Sequence, residues 1–186
     1  MDMVRNRKLR SVLIVSGMLS MGWDLFTFVM PIHCSNIGLS ASTTGIIMGA
    51  FGAATFVMHL AMPALSRRLK EWQLIGAAFL VSGTAYLMFP FATSFTLLMS
   101  IAFLLGSGLG CSQPMVMSLL YAASAPGCQG DVVGVRTMVL NISSTGLALI
   151  FGAVGSALAM GPVFWGISAC LLTGGYAVGR KVRRQT

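Results

Sequence analysis

The sequence predicts an all-α membrane protein: six transmembrane helices arranged as two inverted three-helix repeats. Three observations carry this. The 186 residues are 56% hydrophobic and only 9% charged, and the mean hydropathy of +0.85 lies far from that of a soluble domain. Cutting the chain at its charged and Pro/Gly-rich breaks leaves six apolar runs, at about 11–34, 42–65, 72–90, 94–122, 133–158 and 162–179. Each is near the length that a tilted helix rising ~1.5 Å per residue needs to cross ~30 Å of hydrocarbon. Finally, IIMGAFGAAT at 46–55 and LIFGAVGSAL at 149–158 share Gly-Ala, one apolar residue, Gly, a small residue and Ala in register, which pairs the second run with the fifth. A triplet is odd-numbered, so its repeat crosses the membrane in the opposite sense.

The first run holds the acid that stands inside an apolar stretch, Asp24, at its middle. A carboxylate at mid-depth costs about 2.5–3.5 kcal/mol on insertion scales, and such a cost usually marks function. Ser20, Asp24, Thr27 and Pro31 recur at helical spacing, so this helix has one polar face. Trp23 and Phe28 flank it as apolar walls. His33 ends the run and reads as a wet interface residue.

The second run carries Gly45, Gly49 and Gly52, a small-residue stripe of the kind that lets helix backbones approach closely, and Ser40 or Ser42 can cap its start. His59 reads as an interfacial histidine near the basic loop, or else a ligand contact. The third run, opened by Trp72 at interface depth, is featureless and is expected to face lipid at the periphery. The fourth is interrupted by Gly106, Gly108, Gly110, Gln113 and Pro114, which predicts a bend or a locally open turn. SAPGCQGDVVGVR follows as a solvated break that includes Asp131 and Arg136. The fifth run then shows Asn141, Ser143, Ser144 and Thr145, with Gly152 and Gly155 as counterparts of Gly49 and Gly52. The sixth begins at Pro162, a first-turn position, and ends in a basic tail.

The formal charge of +8 follows topology rather than a nucleic-acid surface. With six spans all twelve Lys and Arg fall on one side: residues 1–10 form a basic cytoplasmic N-terminus, 11–179 the transmembrane domain and 180–186 a cytoplasmic tail of a multi-pass protein in the plasma or inner membrane. No cleavage site precedes the first run, so it is expected to stay attached. Cys34, Cys111, Cys128 and Cys170 have no paired spacing and read as small packing residues; neither a metal nor another cofactor is expected.

GWDLFTFVMPIH, GIIMGAFGAATF with PALSRRLKEW, and GDVVGVRTMVLNISSTGLALIFGAVGSALAMGPVFW resemble the seventh, eighth and eleventh helices of the major facilitator superfamily. The chain thus resembles the C-terminal six-helix half of such a transporter, although Ala64, Leu65 and Ser66 stand before Arg67 and Arg68 where the family's loop motif has an Asp. The resemblance implies facilitated or proton-coupled transport of a small-molecule substrate, with the first helix of each triplet lining the cavity. Candidate proton or substrate residues are Asp24, Thr27, Trp23, Phe28, Gln113 and Asn141, each weighed against a purely interhelical hydrogen-bonding or packing role. The packing interface is assigned to Gly45, Gly49, Gly52, Gly152 and Gly155. Beyond the lipid bilayer, a second six-helix half or a parallel homodimer is the expected partner. Two other readings stand beside this one. A truncated or scaffolding fragment would insert without transporting, and an intramembrane hydrolase would use Ser168, whose sequence context supplies no nearby histidine base.

Overall fold

In the computed structural model, which describes residues 7–124, 127, 129–155 and 161–183, the chain is built from long helices. They are α1 (Arg7–Asn36), α2 (Ala41–Leu65), α3 (Glu71–Met88), α4 (Phe95–Ala123), α5 (Gln129–Gly155) and α6 (Gly161–Arg183), with a 3₁₀ turn at Phe89–Phe91 after α3. Four stretches among the described residues, Leu9–Asn36, Ala41–Leu65, Glu71–Phe91 and Phe95–Ala123, are long and apolar enough to cross a membrane. The outward surface is correspondingly greasy: Ile46, Phe56, Leu60, Phe91, Met138 and Ile142 are all exposed. In water such a belt would be an aggregation hazard; in lipid it is the proper surface.

Local chemistry sets several helix ends. The Ser40 side chain accepts from the Thr43 amide at 3.2 Å and caps α2. The turn before it closes through Gly38, whose φ of 77° suits a residue without Cβ. At the start of α3 the Lys70 amide donates to Gln73 Oε1 at 3.0 Å, satisfying one of the orphan donors of a helix start.

The helix that organises the packing is α4, which lies against α2, α3 and α1. Its glycines make this possible. A Cβ on Gly106 would run into the Phe51 carbonyl and lie 3.1 Å from Ala54 Cβ, and one on Gly110 would lie 2.9 Å from Thr55 Cα. One on Gly108 would lie 2.7 Å from Ser82 Oγ of α3. The expected open turn does not occur, because α4 runs unbroken from Phe95 to Ala123 through Pro114. The glycines do not weaken the helix locally; they let two neighbours come close, so that dispersion replaces the hydrophobic drive that lipid does not supply. The Thr55 hydroxyl closes the contact, 3.0 Å from the Phe51 carbonyl and 3.3 Å from that of Gly106.

The structure also revises the third and first runs. Rather than lying at the periphery, α3 packs between α4 and α6, with Ser82, Tyr86 and Phe79 fully buried, and keeps one face with Leu80 and Leu87 exposed. Gly83 is the reason: a Cβ there would meet Leu172 of α6 at 2.8 Å, and the Ser168 hydroxyl donates to the Gly83 carbonyl at 2.8 Å. Tyr86 donates to the Gly22 carbonyl and joins Phe26, Phe89 and Phe164 in an aromatic cluster. His33 is not a wet residue, since it is buried edge-on to Phe164 and 3.5 Å from the Ala92 carbonyl. Cys34 and Cys111 are buried, whereas Cys170 is exposed and so is no packing residue; Cys128 lies outside the described residues.

Ser82 Oγ is buried without a hydrogen-bond partner among the described residues. Ser82→Ala is therefore expected to leave thermal stability in detergent unchanged or raise it by about 1 kcal/mol, because an unsatisfied hydroxyl is removed beside Gly108 of α4. A lower melting temperature would show that the hydroxyl is satisfied after all.

Candidate functional site

Along α1, Ser16, Ser20 and Asp24 follow one another at four-residue intervals and so face one way. α1 packs against both α4 and α5, and where the three diverge they leave an open concavity of about 390 Å³. It is lined by Ser20, Trp23 and Asp24 from α1, Gln113 from α4, and Leu140, Asn141 and Ser144 from α5. The volume suits a small organic solute, and the lining joins an aromatic and an aliphatic wall to a few convergent polar groups.

Four of the six residues singled out from the sequence thus meet in one place: Trp23, Asp24, Gln113 and Asn141. The other two do not line it. Phe28 is 49% exposed on the outer face, and Thr27 is exposed with its hydroxyl returned to the Trp23 carbonyl at 3.1 Å. Both lie about one turn past Asp24, roughly 4.5–6 Å further along the axis, where the lining supplied by α1 has ended. Trp23 is held edge-on against Phe51 of α2 with 4.9 Å between ring centroids, and Phe26 stacks on the same ring. Asp24 is half-buried, and among the described residues no side chain donates a hydrogen bond or forms an ion pair with it.

Arg136 is the residue that the sequence reading misplaced. Instead of lying in a solvated break, it sits two turns into α5, which begins at Gln129, and it is 6% exposed. Its Nε donates to Ser16 Oγ and its Nη2 to Gln113 Oε1, each at 2.7 Å. One side chain thereby ties α1, α4 and α5 together beside the concavity. The signal was present in the spacing, because Arg136 precedes Asn141 and Ser144 on a continuous helix, but Gly130 and Gly134 gave that stretch the look of a turn.

The assigned packing stripe has a different setting from α4. Among the described residues a Cβ on Gly45, Gly49 or Gly52 would meet nothing within 4 Å, and all three are exposed. The surroundings of Gly152 and Gly155 lie outside the described residues. His59, also exposed, donates from Nδ1 to the Thr55 carbonyl at 2.8 Å and does not line the concavity.

Comparison with known proteins agrees with the helical architecture. The profile of the Major Facilitator Superfamily matches residues 2–148. A class D tetracycline resistance protein of Salmonella ordonez is 26% identical over 133 residues, covering 71% of this chain and 32% of the relative. A class G tetracycline resistance protein of Vibrio anguillarum is 32% identical over 122 residues, covering 64% of this chain and 30% of the relative. The chain therefore spans about a third of the length of these curated relatives. No solved structure matches it.

Proposed function

We propose, from the fact that the chain belongs to the major facilitator superfamily, that it moves a small solute across the membrane as one half of a secondary transporter. The observation that carries this is Asp24, half-buried midway along α1 without an ion-pair partner among the described residues, in a concavity shared with Gln113 and Asn141 of two other helices. Members of the family are transporters rather than enzymes. A hydrolytic reading of Ser168 finds no support in the geometry, where that hydroxyl is committed to the Gly83 carbonyl. Tetracycline is the first solute to try, because both relatives take their names from resistance to it.

Six spans in two inverted triplets organise the chain in this reading. Supporting it, α4 packs on α2 and α3 as α1 packs on α5 and α6, while α1 meets α4 and α3 meets α6; this is the pattern left unchanged when the first three helices are exchanged for the last three. The basic loop at Arg67, Arg68 and Lys70 then lies at the cytoplasmic end with both termini, in the plasma or inner membrane. Cysteines at Ser40 and Arg68 are expected to be labelled by an impermeant reagent from opposite sides. Labelling of both from outside would sink the six-span topology.

A second six-helix half, or a parallel second copy, covers the open glycine face of α2 in this reading. Asp24 is its proton or solute contact. In vesicles holding the assembled carrier and an imposed pH gradient, Asp24→Asn is expected to reduce tetracycline accumulation to background while inserting normally. Accumulation by that variant equal to the unmodified chain would reduce Asp24 to an interhelical hydrogen-bonding role.

A further inference from the structure

The buried guanidinium beside the concavity has a task there that its packing alone does not explain. A guanidinium carries five N–H donors and no acceptor. The Gln113 amide that meets Arg136 Nη2 at 2.7 Å must therefore present its oxygen, which leaves its NH2 turned away from the cation. Gln113, and not Arg136, lines the concavity. Ser16, bound to Arg136 Nε, lies two turns from Asp24 on α1, about 12 Å along the axis, and among the described residues no ion pair joins Arg136 to Asp24, so the contact the cation makes at the concavity is with the amide. Without that cation a glutamine amide is free to turn either end toward the cavity.

We propose that Arg136 is a positioning residue that fixes the Gln113 amide with its NH2 directed into the concavity, so that the site selects solutes carrying an oxygen acceptor (carbonyl, enolate or carboxylate) together with a donor or cationic nitrogen for Asp24. This rests on the concavity being the solute site. Asn141 and Ser144 complete a lining in which Gln113 is held to one hydrogen-bonding sense and Asp24, when ionised, to the other. A solute that offers Gln113 only donors or only apolar surface leaves the amide unsatisfied and is rejected.

The test uses the full chain in lipid nanodiscs, labelled with ¹⁵N-glutamine. The glutamines are Gln73, Gln113, Gln129 and Gln185, so the Gln113 side-chain pair is identified by its loss in Gln113→Glu. The unmodified chain and Arg136→Lys, which retains a donor-only cation, are expected to show one ordered NH2 pair open to relaxation by a neutral gadolinium chelate. Arg136→Gln offers an acceptor as well as donors, and is expected to yield two amide orientations. With Trp72 and Trp165 replaced by Phe, quenching of Trp23 by tetracycline is expected to be about tenfold weaker in Arg136→Gln, the loss of one charge-assisted hydrogen bond's worth of preorganisation. An amide already averaged in the unmodified chain, or unchanged in both Arg136→Gln and Arg136→Met, overturns the proposal, as does unaltered quenching in a variant whose amide has been freed. An ordered amide without any tetracycline quenching counts against that solute reading and leaves the orientation established.

Discussion

Gly106→Leu is expected to prevent the chain from folding in any membrane mimic, with loss of the monodisperse species on size exclusion and no cooperative thermal transition. The added side chain has nowhere to go: even its Cβ runs into the Phe51 carbonyl, and Ala54 stands 3.1 Å away. These obstacles are helix backbone and a methyl group, not the mobile end of a long side chain, so relief means driving α2 and α4 apart. Inserting methylenes into a close-packed core ordinarily costs about 1–3 kcal/mol, and separating two helices along their whole contact exceeds that against a total stability of about 5–15 kcal/mol. Gly52→Leu supplies the contrast. It lies one residue from Phe51, yet a Cβ there meets nothing within 4 Å among the described residues. That variant is expected to fold as the unmodified chain does and to lose only a larger assembled species. If Gly106→Leu folds normally, the close approach of α2 and α4 at Gly106 is not what holds the fold together. If Gly52→Leu leaves every species unchanged, the open face of α2 is a lipid surface rather than a partner's.

Those two glycines also show what was legible in the sequence. Both sit in apolar helices at small-residue spacing, and glycine has the same appearance whether it weakens a helix, admits a neighbour or faces lipid. The stripe at Gly45, Gly49 and Gly52 was readable as a face, but nothing local said which partner it met. The run Gly106, Gly108, Gly110 was readable as a break, whereas the contacts that explain it come from Phe51 and Thr55 of α2 and Ser82 of α3, all remote in sequence. Composition and run length revealed the helices because insertion in lipid constrains them directly. Asp24, Gln113 and Asn141 stood out for the same reason, being polar where polarity is costly. Arg136 did not stand out, because the sequence leaves the start of α5 ambiguous among Gly127, Gly130 and Gly134, and a basic residue near a loop is ordinarily a topology marker. His33 was lost likewise: its burial depends on Phe164 of α6 and on the 3₁₀ turn, neither of which its own segment encodes.

The tie at Arg136 allows a prediction in which the milder-looking substitution does more harm. Gln113→Leu is expected to destabilise the chain more than Arg136→Met, although it removes an uncharged side chain. Arg136 is buried beside Ser16 and Gln113, two neutral acceptors that each accept one charge-assisted bond. Removing Gln113 leaves the guanidinium in place with a donor facing an apolar leucine, and stranding a buried charged donor costs more than the about 1–3 kcal/mol of a neutral one. Arg136→Met removes the charge along with the need to solvate it and keeps most of the apolar stem; Ser16 and Gln113 then each lack one neutral hydrogen bond, about 1–3 kcal/mol for the site. The double variant, Gln113→Leu with Arg136→Met, leaves neither cation nor stranded amide and is expected to be more stable than Gln113→Leu alone. Thermal unfolding of the four proteins in one detergent measures the cycle, and the sign of the coupling decides it. Additive losses, with the double variant least stable of all, would mean that Arg136 is solvated independently of Gln113 and that the tie across α1, α4 and α5 contributes little to the fold.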